Sequence, residues 1–283
     1  MAKVGLILEG GAMRCMFTAG ILDVFSENGI EVDGIVGVSA GAGFGCNFKS
    51  NQPKRVVNLI KRFSENNKFK GLKSFLATGD YYNQEDLYKS LPTDFEKFNS
   101  EAFKNNKVPF YVVCTNADTG EAVYRQCENG DLKDKLWFRA SATLPIYSNP
   151  IEIDGVPLMD GGIVDSIPLK FFQEQGYDKN IIIHTHEKGF LQGKSKVIII
   201  LKMFFREYPV ITEKIAVRHN MYKKQTEYVN REIEKGNVLP IYPKENTVIK
   251  NTETDTKKLL GSYEAGRKAG FENLDRVKDF IKK

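Results

Sequence analysis

The chain has 283 residues, 41% from the apolar set and 27% charged, the balance of an ordinary globular protein of one domain or two small ones. A collagen, a disordered tail and a disulfide scaffold are excluded. Forty-one Lys and Arg against 36 Asp and Glu leave a net charge of +5 with no long single-sign block, so nothing calls for a nucleic-acid partner, while a mildly basic face toward anionic lipid stays open.

Cys15, Cys46, Cys114 and Cys127 form no C-x-x-C pair and are read as reduced, buried thiols. At the N-terminus the apolar run Val4 to Leu8 is too short for the core of a secretory signal, so a cytoplasmic location is expected. Further on, Val197 to Ile211 is interrupted by Lys202, Arg206 and Glu207 and falls short of the roughly 20 residues a membrane span requires.

In chain order, Val4 to Leu8 reads as a strand ending in Gly10-Gly11, followed by Met16, Ala19, Ile21, Leu22 and Phe25 at helical spacing up to Asn28-Gly29. Gly34 to Val38 repeats the pattern, running through Ser39-Ala40-Gly41-Ala42-Gly43 into a helix over Phe44 to Phe48. Strands joined by one such helix should be parallel neighbours, so an α/β layered fold is expected. Pro53 to Phe63 and Asn83 to Lys104 read as helices with a loop over Gly71 to Asp80 between them, an arrangement suited to a lid. Phe110 to Thr115 and Glu121 to Arg125 read as strands, Leu132 to Ala142 as a helix, Ile151 to Leu158 as a hairpin around Asp154-Gly155, and Ile181 to His184 as a core strand. The remainder reads as helical over Lys194 to Arg206, Tyr208 to Arg231 and Asp255 to Phe280, with a short strand at Val238 to Ile241. With no repeat and no linker, residues 1–283 are expected to form one domain, the chemistry lying in about 1–185 and a helical extension in 190–283.

Three short motifs carry chemistry. Gly37-Val38-Ser39-Ala40-Gly41 is G-x-S-x-G where a strand breaks into a helix, the setting of a nucleophilic serine. Side chains at 37 and 41 would collide with the neighbouring strand and helix, and the helix start directs its partial positive charge at the serine. Gly10-Gly11-Ala12-Met13-Arg14 follows the adjacent strand, so its N–H groups are placed to form an oxyanion hole. A nucleotide-phosphate loop is disfavoured there, because no Lys follows the glycines and G-x-G-x-x-G would need Gly at Ala12 and Cys15. Two kinds of base are available to Ser39: His184 or His186 after the Ile181 to Ile183 strand, or Asp160 in Asp160-Gly161-Gly162 after the hairpin.

Together, the Gly10 to Arg14 loop, Gly37 to Gly41 and Asp160-Gly161-Gly162, in that order and approximate spacing, resemble the patatin-like phospholipase family. The resemblance spans roughly the first 185 residues and implies a three-layer α/β/α fold with a mainly parallel sheet. It also implies a Ser39-Asp160 dyad without histidine, acting on a lipid or other acyl ester with no cofactor and no metal. Gly10, Gly11, Ala12 and Arg14 would form the oxyanion loop, with Gly37, Gly41, Gly161, Gly162 and Asp165 in support. Two departures stand out: the family often has Gly where this chain has Ala12 and Cys15. The rival readings are an α/β-hydrolase with a Ser-His-Asp triad, disfavoured by so early a serine, and a non-catalytic acyl-lipid or nucleotide binding module. Phe204, Phe205 and Tyr208 beside Lys202 and Arg206 suggest either a core helix or a peripheral membrane contact, the core reading being favoured.

Overall fold

A computed structural model describes residues 2–65, 97–145, 148–195, 198–199, 201 and 205–282. The expected loop at 71–80 and most of the expected helix at 83–104 lie outside the described residues, as do Lys202 and Phe204. The first half contains β1 (Val4–Leu8), α1 (Met16–Glu27), β2 (Gly34–Val38), α2 (Ala40–Lys49), α3 (Arg55–Glu65), α4 (Ser100–Asn105), β3 (Phe110–Asn116) and β4 (Ala122–Cys127). The second contains α5 (Leu132–Ser141), β5 (Ile151–Ile153), β6 (Val156–Asp160), α6 (Leu169–Glu174), β7 (Lys179–Ile183), α7 (Pro209–Glu234), β8 (Val238–Ile241) and α8 (Thr256–Lys282).

The sheet runs β5-β6-β3-β2-β1-β7-β8, with β4 also paired to β3. Strands β3, β2, β1, β7 and β8 are mutually parallel, and β4, β5 and β6 run antiparallel to their neighbours. Strands β1 and β2 are apolar throughout, and β3 and β7 over most of their length, because helices cover both faces. Leu6, Leu8, Ile35, Ile181 and Ile183 face one core with Phe17, Ile21 and Val277 from α1 and α8. Ile7, Val36, Val38, Val113 and Ile182 face the other with Phe172, Tyr222 and Val229 from α6 and α7. The fold is thus three-layered α/β/α with a mainly parallel sheet.

Two local differences from the sequence reading have simple causes. Helix α2 starts at Ala40, not Phe44, taking the glycine run into its first turns despite their low propensity, because the turn at Ser39 brings the helix directly against β1. The short α6, which sequence periodicity did not reveal, forms where Leu169 and Phe172 become buried just after Pro168.

The C-terminal segment is woven into these layers. β8 extends the sheet beside β7, and α8 packs along α1 so closely that a Cβ on Gly266 would stand 2.0 Å from the Phe17 carbonyl oxygen. Tyr263 donates to Asp23 at 2.6 Å across the same contact. All four cysteines are free and buried. No described helix is long and apolar enough to cross a membrane.

Candidate active site

Strand β3 aligns two distant parts of the chain. One edge pairs with β4 along its length, while the other pairs first with β2 and then, beyond the end of β2, with β6. Val113 stands opposite Val38, and the next residue, Cys114, stands opposite Asp160. The ends of β2 and β6 therefore approach each other from opposite directions, and Ser39 and Asp160 line one cavity of about 200 Å³.

Ser39 sits at the tip of the turn with φ 55° and ψ −130°, a conformation that L-residues avoid unless their surroundings impose it. Its N–H donates to Ser141 Oγ at 2.8 Å, and that hydroxyl donates to the Val113 carbonyl at 2.6 Å, anchoring the turn to β3. The flanking glycines are sterically required. A Cβ at Gly37 would lie 2.5 Å from Ala42 Cα, and one at Gly41 would lie 2.6 Å from the Leu8 carbonyl oxygen.

Asp160 is 3% exposed. Burial raises its pKa above the usual carboxylate range; the Ser39 side chain and the Gly162 N–H as hydrogen-bond partners, and the positive charge of Arg218, offset only part of that rise. Its Oδ1 accepts from Gly162 N at 2.7 Å, and its own backbone is fixed by Thr143 O and Thr115 Oγ1. A carboxylate with a raised pKa is a stronger base than an exposed aspartate, which suits it to take a proton from a hydroxyl.

Across the cavity run Gly10, Gly11, Ala12 and Arg14. Among the described residues, neither the Gly11 nor the Ala12 N–H donates to a protein acceptor, leaving both available for an oxyanion. Ala12 has φ 48°, so the residue standing where the family often has glycine is held in the backbone region that glycine occupies without cost. Cys15, the second departure, is buried and donates to the Glu9 carbonyl, away from the cavity lining. Burial depresses the pKa of Arg14, and its Nε, which is also buried, has no described partner.

The structure brings neither candidate histidine to Ser39. His184 Nδ1 lies 3.0 Å from Glu9 Oε2 and its ring stacks on Tyr242. His186 stacks on Phe190, and burial, reinforced by the charges of Arg14 and Arg218, pushes its pKa down to about 4. Neither lines the cavity. Asp165 lies behind the Asp160 turn, accepting from Tyr124 Oη at 2.7 Å and from Gln225 Nε2 at 2.6 Å.

Sequence reasoning missed Ser141, Arg218, Tyr222 and Gln225. Arg218 Nε donates to the Gly162 carbonyl. Tyr222 Oη donates to Glu9 Oε1 at 2.7 Å, and Thr185 N donates to Glu9 Oε2 at 2.9 Å. Burial raises the Glu9 pKa, but its bonds with His184, Tyr222 and Thr185 outweigh that and hold it below the usual glutamate value. A clue to Glu9 lies in its position, one acidic residue between an apolar strand and a glycine loop. Leu144, Pro145, Ile163, Leu201 and Ile215 supply apolar walls. Leu201 and Phe205 are buried, while Ile199, Arg206 and Glu207 are exposed, so the described part of the 197–210 segment turns some of its apolar side chains inward and leaves Ile199 at the surface.

Residues 6–172 match the family model for patatin-like phospholipase. The chain belongs to the patatin-like phospholipase family. A second model, described as a domain of unknown function (DUF6363), matches residues 208–282 of this patatin-like chain, which form α7, β8 and α8. An uncharacterised Escherichia coli protein, YjjU, is 28% identical over 65% of this chain and 52% of its own length. An uncharacterised NTE family protein of Mycobacterium tuberculosis is 26% identical over 59% of this chain and 44% of its own. Lysophospholipase nte1 of Aspergillus terreus is 26% identical over 62% of this chain but only 11% of its own. The chain thus spans about half the length of the two bacterial relatives.

Proposed function

We propose that this patatin-like protein is a serine acyl hydrolase that cleaves carboxylic esters of lipids, as a phospholipase A, lysophospholipase or lipid esterase, through Ser39 and Asp160. The observation that carries the reading is the meeting of a strained Ser39 and a buried Asp160 in one cavity beside the N–H groups of Gly11 and Ala12. The relative named as a lysophospholipase supports the substrate class.

In this reading Asp160 accepts the Ser39 proton as the hydroxyl oxygen attacks the ester carbonyl. The Gly11 and Ala12 N–H groups stabilise the resulting oxyanion, each such donor contributing about 3 kcal/mol. Collapse of the tetrahedral intermediate breaks the bond to the alcohol or lysolipid, which takes the proton from Asp160. Water then attacks the acyl-serine, again giving up a proton to Asp160, and Ser39 regains its proton as the fatty acid departs. Every step uses groups of the chain and water, and the same proposal takes residues 1–283 as one functional unit.

The test is a lipid panel of lysophospholipid, diacylphospholipid and neutral glyceride with mass analysis of released fatty acid. Turnover of at least one ester by the parent, abolished in Ser39→Ala and Asp160→Ala and retained in His184→Gln and His186→Gln, is expected. Loss of activity in either histidine variant, with Asp160→Ala still active, would favour a triad instead. No ester turnover, with unaltered lipid bound, would favour a binding module.

A further inference from the structure

The long helix α7 lies outside the segment that matches the patatin-like phospholipase model, yet one of its faces reaches both loops of the candidate site. Arg218, Tyr222 and Gln225 follow one another at intervals of four and three residues, so they project from a single side of the helix. Tyr222 binds Glu9, which precedes the glycine loop. Gln225 binds Asp165 and accepts from the N–H groups of Ser166 and Ile167, at the far side of the Asp160 turn. Arg218, one turn before Tyr222, itself lines the cavity that holds Ser39 and Asp160.

The bonds of Arg218 all go to neutral acceptors: the Gly162 carbonyl, Ser166 Oγ at 3.2 Å and, at the limit of bonding, Gln192 Oε1 at 3.5 Å. Among the described residues it forms no ion pair. Neutral acceptors of this kind could be served by an uncharged amide, so a partly buried guanidinium here calls for a further reason. Gly162, whose carbonyl Arg218 grips, is also the residue whose N–H holds Asp160 Oδ1. We propose that Arg218 is a positioning residue for hydrolysis, fixing the turn that carries Asp160 and placing an unneutralised positive charge where that carboxylate must act as a base.

Asp160 faces few other charged or titratable groups. The Gly162 N–H bonds to it, the Ser39 side chain favours its ionised form, and Arg14 lines the same cavity. The thiols of Cys15 and Cys114, which feel its charge, are kept protonated because burial pushes both pKa values far up. His186 is uncharged above about pH 4. Among the described residues, Arg218 is a cation whose charge favours the ionised form of the Asp160 carboxylate.

The inference rests on the hydrolase reading, and its test separates the two. Parent, Ser39→Ala, Arg218→Gln and Arg218→Lys forms of the full chain are assayed on a short-chain p-nitrophenyl ester from pH 5 to 9, with thermal unfolding of each. Arg218→Gln should lower kcat about 10- to 100-fold with KM within about threefold, and should move the acid limb of the kcat profile upward by about half a pH unit or more. Arg218→Lys should keep the limb within about 0.2 units of the parent while recovering only part of kcat, since charge returns without the planar fork. A parent that turns over through Ser39, together with an unshifted limb in Arg218→Gln, would overturn the inference alone. Equal losses in the Gln and Lys variants, tracking a fall in unfolding temperature, would reduce Arg218 to a structural tie and also overturn it. Absence of Ser39-dependent turnover in the parent would overturn both readings.

Discussion

The segment before residue 185 and the one after 208 solve different problems with the same polar residue types. In the first, the backbone shape of the candidate site is set by adjacent glycines, even though Ser141, Thr115 and Thr143 also tie Ser39 and Asp160 to distant parts of the sheet layer. The turn at Ser39 depends on Gly37 and Gly41, that at Asp160 on Gly162, and the glycine loop on the end of β1. In the second, Arg218, Tyr222 and Gln225 act through partners 56, 213 and 60 residues away. Chemistry that requires a particular backbone shape leaves a local motif, whereas bracing from a straight helix leaves only a spacing.

The largest effect that would break this comparison lies at Asp160. Asp160→Asn should reduce kcat by at least about 10³-fold, as expected when one member of a coupled nucleophile and base is removed. In the parent, kcat should rise with pH through the Asp160 pKa, whose acid limb lies above the ordinary aspartate value because burial raises it. The stability sign is the reverse of that for a salt-bridged aspartate. A folded-state pKa above the unfolded value means that the ionised form disfavours folding, so this group's contribution to stability improves as pH falls through the folded pKa. The same Asp160→Asn variant should therefore be more stable than the parent at pH 8, by about 1 kcal/mol in urea unfolding, an exchange of activity for stability common at functional sites.

A second prediction separates the two long C-terminal helices. Gly266→Val forces a side chain into the Phe17 backbone where α8 crosses α1, and should cost about 3 kcal/mol of unfolding free energy while leaving kcat per titrated active site within about twofold. A parallel loss of kcat per site would show that α8, like α7, communicates with the cavity. Tyr222→Phe sharpens the other side of the contrast. It removes one bond from buried Glu9, and should cost about 1–3 kcal/mol by urea unfolding.

The smallest expected effect is at Ala12, whose φ of 48° is strained for alanine. Ala12→Gly should stabilise the folded chain by up to about 1 kcal/mol, since relief of the left-handed conformation competes with the added freedom of the unfolded glycine. A destabilised Ala12→Gly protein would show that the alanine methyl packs usefully in the loop.

These contrasts explain what could be read from the sequence. The apolar runs of β1, β2, β3 and β7 gave the sheet, because strands covered on both faces cannot be polar. The strand at Val238 to Ile241 was also legible, but nothing local indicated that it would pair with β7. The adjacency of Ser39 and Asp160 could be expected only from the order of the three motifs; its cause, β3 passing from β2 to β6, depends on register that no single segment encodes. Ser141 was illegible because a serine ending a helix is ordinary until its hydroxyl is found between Ser39 N and Val113 O. Arg218, Tyr222 and Gln225 resembled the solvated side of an amphipathic helix, and a polar stripe reads the same whether it meets water or a buried carboxylate.

The most direct measurement is fluorophosphonate labelling of the parent and Asp160→Asn proteins, with the adduct located by peptide mass analysis. A single adduct on Ser39 in the parent, formed at least about a hundredfold more slowly in Asp160→Asn, is the predicted result, since the base that activates the hydroxyl is lost. An adduct on a different residue, or Ser39 labelling at the parental rate in Asp160→Asn, would contradict it.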